Sequence, residues 1–317
     1  MEKTTPVKVD HYNNEVNKYA VNANTTFPLR YLVNDQYYDP SQGPILMYTG
    51  NEGDIYAFYN NSGFMTETLA KKLGALVVFA EHRWYGTSYP FGSEANAKKN
   101  ENLKYLTVPQ VLWDFIDVID VIKKDASYAN ITNKAVIVGG GSYGGMLSAW
   151  MRMKYPNQIQ GALAASAPIL WFNGTINPNT WTDIAADVVM NKGSANCYDT
   201  LKYGFYDMTN LVYDKYKWST LQDKFNMCEA PTSPDQVNSF VNNVVDAISG
   251  MVQVNYPYDV GALPGNPVSV FCAEIDAITA AAAVAKANLK DNATVSVFDW
   301  TNIDALAAAA DVNWANL

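Results

Sequence analysis

The sequence predicts an α/β fold, with a mostly parallel sheet in the first half and a helical second half. Three observations carry that expectation. Short apolar runs alternate with helix-length amphipathic segments as far as Pro168. The runs are continuous rather than alternating, as in strands buried on both faces. After Pro168 such runs nearly vanish and helical signals take over. The 317 residues suffice for one large domain or one domain with a sizeable insertion. A content of 49% hydrophobic and 13% aromatic residues excludes a disordered chain.

Taken in order, Ile45-Leu46-Met47-Tyr48 is a short strand closed by Gly50. Phe64 to Leu73 reads as a helix, with Ser62 ahead of it and Gly74 as its stop. Ala75 to Ala80 is the next strand. Thr107-Val108-Pro109-Gln110 is a capping box with Pro in the first turn. Val111, Leu112, Phe115, Val118, Ile119 and Ile122 follow at helical spacing, which puts Asp114 and Asp117 on the other side. Ala135 to Val138 is a strand, Met146 to Tyr155 a helix ended by Pro156, and Gly161 to Ala165 another strand. This alternation implies right-handed crossovers. Further on, Ser233-Pro234-Asp235-Gln236 is a second capping box, opening a helix that Gly250 stops, and Ala273 to Leu289 is an Ala-rich helix. The expected division is 1–170 for the sheet-bearing part and 171–317 for a helical insertion or cap.

Composition narrows the function classes. Lys+Arg total 22 against Asp+Glu 31, and no basic cluster offers a face to nucleic acid. No apolar run approaches the ~18 to 20 residues that span a bilayer, so no membrane span is expected. The polar opening Met1-Glu2-Lys3-Thr4-Thr5-Pro6 has no apolar signal region after it, so no signal peptide is expected in this chain. Three Cys without a C-x-x-C, and two His at positions 11 and 82, offer neither a zinc site nor a thioredoxin-like pair. No metal or cofactor is expected. Asp183 and Asp187, four apart on a helix, are acidic surface by default.

The chemistry concentrates at Gly140-Gly141-Ser142-Tyr143-Gly144, a G-x-S-x-G match between an apolar strand and a helix. A sharp strand-to-helix turn lifts a Ser hydroxyl clear of the sheet. It also aims the N–H of Tyr143, with the helix N-terminus, at an oxyanion formed in acyl transfer. A P-loop is excluded, because no Lys-Ser/Thr follows the glycines.

Longer motifs surround this one. They are Tyr48-Thr49-Gly50-Asn51-Glu52-Gly53-Asp54, Phe79 through Gly86, Gly140 through Met146, Arg152 through Pro156 and Gly161 through Pro168. Weaker matches run through Cys197, Phe225 to Cys228 and Met251 to Tyr258, and on to Cys272. Together they resemble the proline-specific serine peptidases, the group of lysosomal Pro-Xaa carboxypeptidase, dipeptidyl peptidase II and thymus-specific serine protease. The resemblance implies an α/β-hydrolase core with an inserted helical cap, and peptide substrates cleaved next to proline. It also implies a lysosomal or secreted location and allows a homodimer of the full-length parent. It makes Ser142 the nucleophile and puts substrate contacts in the loop Gly50, Asn51, Glu52, Gly53. Met146, one turn after Ser142, is either part of a proline-accepting pocket or plain core. Cys197 with Cys272 is the implied disulfide, which also closes the insertion on itself and leaves Cys228 unpaired. Asn24, Asn60, Asn130, Asn173 and Asn292 stand in glycosylation sequons, in keeping with a secretory origin.

One departure from the family is decisive. The order in this fold is Ser, then an acid, then His, and no His follows Ser142. The expected chain is therefore C-terminally truncated, with the triad Asp and His absent and the core incomplete at that side, or a non-catalytic relative that binds peptides or a partner protein. His82, after a strand, lies near the sheet edge where sites gather, but its expected role is structural. His11 is expected at the surface or in packing.

Overall fold

The computed structural model describes residues 1–13, 25–287 and 301–314. The chain forms two compact units, Met1–Phe172 and Asn173–Leu317.

The first unit is built on a six-stranded sheet in the order β1-β2-β4-β3-β5-β6. The strands are β1 (Glu2–Lys8), β2 (Thr26–Asn34), β3 (Ile45–Thr49), β4 (Leu76–Ala80), β5 (Val136–Gly141) and β6 (Gly161–Ala165). The four apolar runs form the parallel part, β4-β3-β5-β6. β1 and β2 pair antiparallel with each other, and β2 pairs antiparallel with β4, so the sheet is mixed. Sequence reading missed these two strands. β1 buries only alternate residues, Thr5 and Val7, among Lys, Thr and Pro. That is a half-buried edge strand, which never looks like an apolar run.

The helices of this unit are α1 (Ile55–Asn60), α2 (Ala70–Leu73), α3 (Glu94–Ala97), α4 (Val108–Lys124) and α5 (Ser142–Lys154). One face of the sheet packs Ile45, Met47, Val78 and Val138 with Val111, Phe115 and Ile119 of α4 and Leu147 of α5. The other face packs Leu46, Val77 and Phe79 with Ile55 and Ala70. The helix expected over Phe64 to Leu73 is π-helical over Phe64–Leu69 before α2, and Gly74 stops it in the left-handed region.

Two expectations about α4 fail for one reason. Its N-cap is Thr107, but the capping box does not form. The Gln110 side chain accepts from His11 N–H at 2.8 Å and donates to Asp10 at 2.6 Å instead. Asp114 is fully buried, not on a solvent face. It takes Arg83 Nε at 2.6 Å and Nη2 at 2.7 Å, and His11 Nε2 lies 2.8 Å away. A buried carboxylate persists only when paired in this way. The partners come from distant segments, so helical periodicity could not reveal them. His11 is a packing residue.

The second unit is helical: α6 (Thr180–Lys192), α7 (Ala195–Leu211), α8 (Trp218–Lys224), α9 (Pro234–Gln253), α10 (Pro267–Ala287) and α11 (Thr301–Trp314). Its core includes Leu201, Met208, Val244, Met251, Phe271 and Leu306. Ser233 caps α9 by accepting from Gln236 N–H. Gly250 does not end that helix, which runs on to Gln253. Burial of Ile248, Met251 and Val252 around it outweighs the roughly 1 kcal/mol that a mid-helix Gly costs. A disulfide joins Cys197 of α7 to Cys272 of α10, and Cys228 is free and exposed. α10 starts ahead of the expected Ala273. Its stretch Pro267–Ala285 is long and apolar enough by length and composition to cross a membrane, which corrects the expectation that no such run exists. Phe271, Cys272 and Ile275 of that stretch are buried in the core of this unit.

Among the sequons, Asn60, Asn130 and Asn173 are exposed, and Asn24 and Asn292 lie outside the described residues. Asp183 and Asp187 are exposed on α6.

Candidate active site

The parallel strands end at one edge of the sheet, where β5 passes directly into α5. Ser142 makes the turn with a φ of 53°, in the left-handed region that side chains avoid. The flanking glycines are there because atoms crowd them. A Cβ on Gly140 would sit 2.5 Å from the Gly144 carbonyl carbon and 2.7 Å from Thr49 Oγ1. A Cβ on Gly144 would sit 2.6 Å from the Thr49 carbonyl oxygen. Gly141 faces open space, so the motif's middle glycine is not sterically required. Ser142 is exposed and Tyr143 half-buried. The N–H of Tyr143 belongs to the first turn of α5, where no intrahelical carbonyl is available to it.

Thr49, at the end of β3, fastens this turn from below. Its fully buried hydroxyl lies 2.7 Å from the Gly144 carbonyl, 2.7 Å from Ser148 Oγ and 3.2 Å from the Gly139 carbonyl. Sequence reading did not single out Thr49 or Ser148. The available signal was a lone polar residue closing an apolar strand just before a glycine.

The loop after β3 lies alongside. Gly50 N–H donates to the Ala80 carbonyl at 3.0 Å, and any Cβ there would run into that oxygen. Asn51 is buried, and its amide donates to the exposed Glu52 carboxylate at 2.8 Å. Asp54 caps α1 and pairs with Arg30 at 2.5 Å. Arg30 also meets the fully buried Glu81 at 2.5 Å. Glu81 accepts from Ile55 N–H at 3.1 Å, Thr87 N–H at 2.9 Å and Ser88 Oγ at 2.7 Å. One buried carboxylate thus ties the start of α1, and with it the Asn51–Asp54 loop, to β2 and to the turn after β4. Gly53 is half-buried, as is Met146.

His82 follows Glu81. Its Nδ1–H donates to the Arg83 carbonyl at 2.5 Å, and its Nε2 accepts from the Tyr143 hydroxyl at 3.1 Å. Burial pushes the imidazole down to about 4, so it is neutral at and well below pH 7. The Tyr143 hydroxyl is pushed up to about 12, by burial and then by the Glu52 charge. With both ring nitrogens engaged, His82 has none left to serve Ser142 as a base.

The sequence pattern of the family described as serine carboxypeptidase S28 matches residues 8–313. This chain belongs to that family. It is 38% identical to the human lysosomal Pro-X carboxypeptidase over 269 residues, which covers 83% of this chain and 52% of that protein. The bovine lysosomal Pro-X carboxypeptidase is 36% identical over 272 residues, 85% of this chain and 54% of that protein. The chain therefore spans about half the length of these relatives. A proline iminopeptidase from Mycobacterium smegmatis superposes with a TM-score of 0.42 at 13% identity, over 75% of this chain and 66% of its own. The fold class of this serine peptidase family chain is α/β, with a mixed sheet and a large helical content.

Proposed function

We propose that this chain carries the nucleophile-bearing part of a proline-specific serine exopeptidase. In this reading Ser142 Oγ attacks the carbonyl carbon of a peptide bond next to proline. The oxyanion takes a hydrogen bond from Tyr143 N–H, the Ser142 hydroxyl proton passes to a base that these residues do not supply and from it to the leaving nitrogen, and collapse expels the amine to give an acyl-enzyme that water then hydrolyses. Gly50, Asn51, Glu52 and Gly53 contact the substrate beside that oxyanion, and Met146 lines the proline pocket. The observation that carries the reading is the φ of 53° at Ser142, held by close contacts at Gly140 and Gly144. A protein that only binds peptides has no need to store that strain under an exposed hydroxyl. The disulfide of the second unit supports an oxidising location, a lysosome or the cell exterior.

The base is the missing part. The two His of the 317 residues are at 11 and 82, and both are engaged elsewhere. The chain by itself therefore turns over substrate far below the 1 to 10³ s⁻¹ usual for enzymes. Loss of the base leaves roughly 10³ to 10⁴-fold over water. The test is trapping of an acyl-enzyme on the purified chain with p-nitrophenyl esters of a longer peptidyl-proline and of an Xaa-Pro dipeptide, whose good leaving group makes little demand on the missing acid and base. An acyl adduct on Ser142 from either ester, lost in Ser142→Ala, supports the reading. An adduct on another residue, or none from either ester, refutes it.

A further inference from the structure

We propose that His82 is a positioning residue that fixes the oxyanion side of the site through the phenol of Tyr143. The proposal rests on the assignment of Ser142 and Tyr143 made above.

Three observations combine. The ring is 1% exposed, and each nitrogen has one partner of defined role. The Arg83 carbonyl accepts only from a protonated Nδ1, which fixes the tautomer and leaves Nε2 as an acceptor. The acceptor side faces Tyr143, the residue whose own N–H stands beside the nucleophile. The ring is also held laterally, with Tyr85 edge-on at 5.3 Å and Tyr143 tilted at 5.4 Å between centroids.

The physical need is local. Ser142 sits in a strained conformation, and the peptide linking it to Tyr143 can relax that strain by rotating. Rotation would turn the Tyr143 N–H away from the oxyanion. A phenol tethered to a buried ring opposes it, because the tether and the N–H share one Cα. The bond is between neutral groups, so the effect is geometric. The charged neighbours of His82 are Asp114 and Glu52, which favour its protonation, and Arg83, which opposes it, while burial dominates. Nε2 therefore stays an acceptor through mildly acid conditions.

The experiment uses the whole chain with a fluorophosphonate, followed by mass mapping and by the ³¹P spectrum of the adduct. Tyr143→Phe leaves the ring and the N–H and removes only the tether. We expect its labelling rate to fall about tenfold and its ³¹P resonance to shift, since P=O reports the oxyanion donors. His82→Leu should do the same, and the double variant no more than either single change, because both remove one interaction. His82→Gln, whose side-chain oxygen can accept from the phenol, should recover most of the rate. Should His82→Leu fail to fold, Tyr143→Phe alone decides. An unshifted resonance and wild-type rate in Tyr143→Phe, or additive losses in the double variant, would overturn the proposal. No Ser142 adduct in the wild type at any probe concentration would overturn the nucleophile assignment and the proposal with it. In that case ¹⁵N-histidine spectra, which contain only two rings, would still show whether the Nε2 contact to Tyr143 exists.

Discussion

At the scale of residues, the site is held by buried polar groups whose partners lie far away in sequence. His82 gives this a measurable pH signature. Its pKa falls from 6.5 to about 4 on folding, so the unfolded chain binds the proton more readily. The stability this withholds is intact above 6.5, declines as pH falls from 6.5 toward 4 and is flat below. By linkage the loss reaches ~3 kcal/mol at pH 4. Urea unfolding of wild type and His82→Gln at pH 7, 5.5 and 4 should show a slope that the variant lacks. A parallel pH dependence in both would show that His82 is not its source. Gly86 is a second such point. It has a φ of 57°, and a Cβ there would overlap the Glu81 carboxylate and crowd Arg30. Gly86→Ala should cost about 3 kcal/mol or more, because it disturbs a buried ion pair as well as the backbone. Guanidinium denaturation checks this, and a change under 1 kcal/mol would mean that the Arg30–Glu81 pair yields easily. Sequence alone made the strand-to-helix turn at Ser142 legible because a G-x-S-x-G between strand and helix is a local pattern. Arg83 with Asp114 was illegible because the two residues are 31 apart on different elements.

Elements show the same contrast. Continuous apolar runs gave away β3, β4, β5 and β6, whereas β1 alternates among polar residues and the apolar pattern of β2 is interrupted by Pro28 and Arg30. Thr49 is the joint between β3 and α5. Thr49→Val keeps the shape and removes the hydroxyl shared with Gly144 and Ser148, so it should destabilise by about 1 to 3 kcal/mol, with Thr49→Ser milder. Thermal unfolding measures it, and equal stability of Val and Thr would assign the joint to packing alone. In the second unit the Cys197–Cys272 bridge closes a separation of 75 residues. The chain-entropy model makes that worth about 4 kcal/mol. Reduction should lower the unfolding temperature of this unit, and Cys228 alone should alkylate in the native protein. Protection of Cys228 instead would contradict the pairing.

For the whole molecule, the sheet ends at β6, whose residues Ala162 to Ala165 are exposed, Leu163 by 47%. Beside it lies an apolar cleft of about 270 Å³ that includes Phe64, Met65, Ile137 and Leu163. An exposed strand edge next to an apolar cleft invites pairing with another chain. The isolated chain should bind hydrophobic dyes and associate with rising concentration despite its net charge of −9. Leu163→Lys should reduce both effects. A monodisperse, dye-free monomer by sedimentation would show the edge to be protected in solution.

The central claim is that Ser142 is the nucleophile of a site whose base is not among these residues. Fluorophosphonate labelling of the intact chain, mapped by mass spectrometry, tests it most directly. The account predicts a slow single adduct on Ser142 that disappears in Ser142→Ala. An adduct on another residue, or labelling of Ser142 at the rate of a complete serine hydrolase, would contradict it.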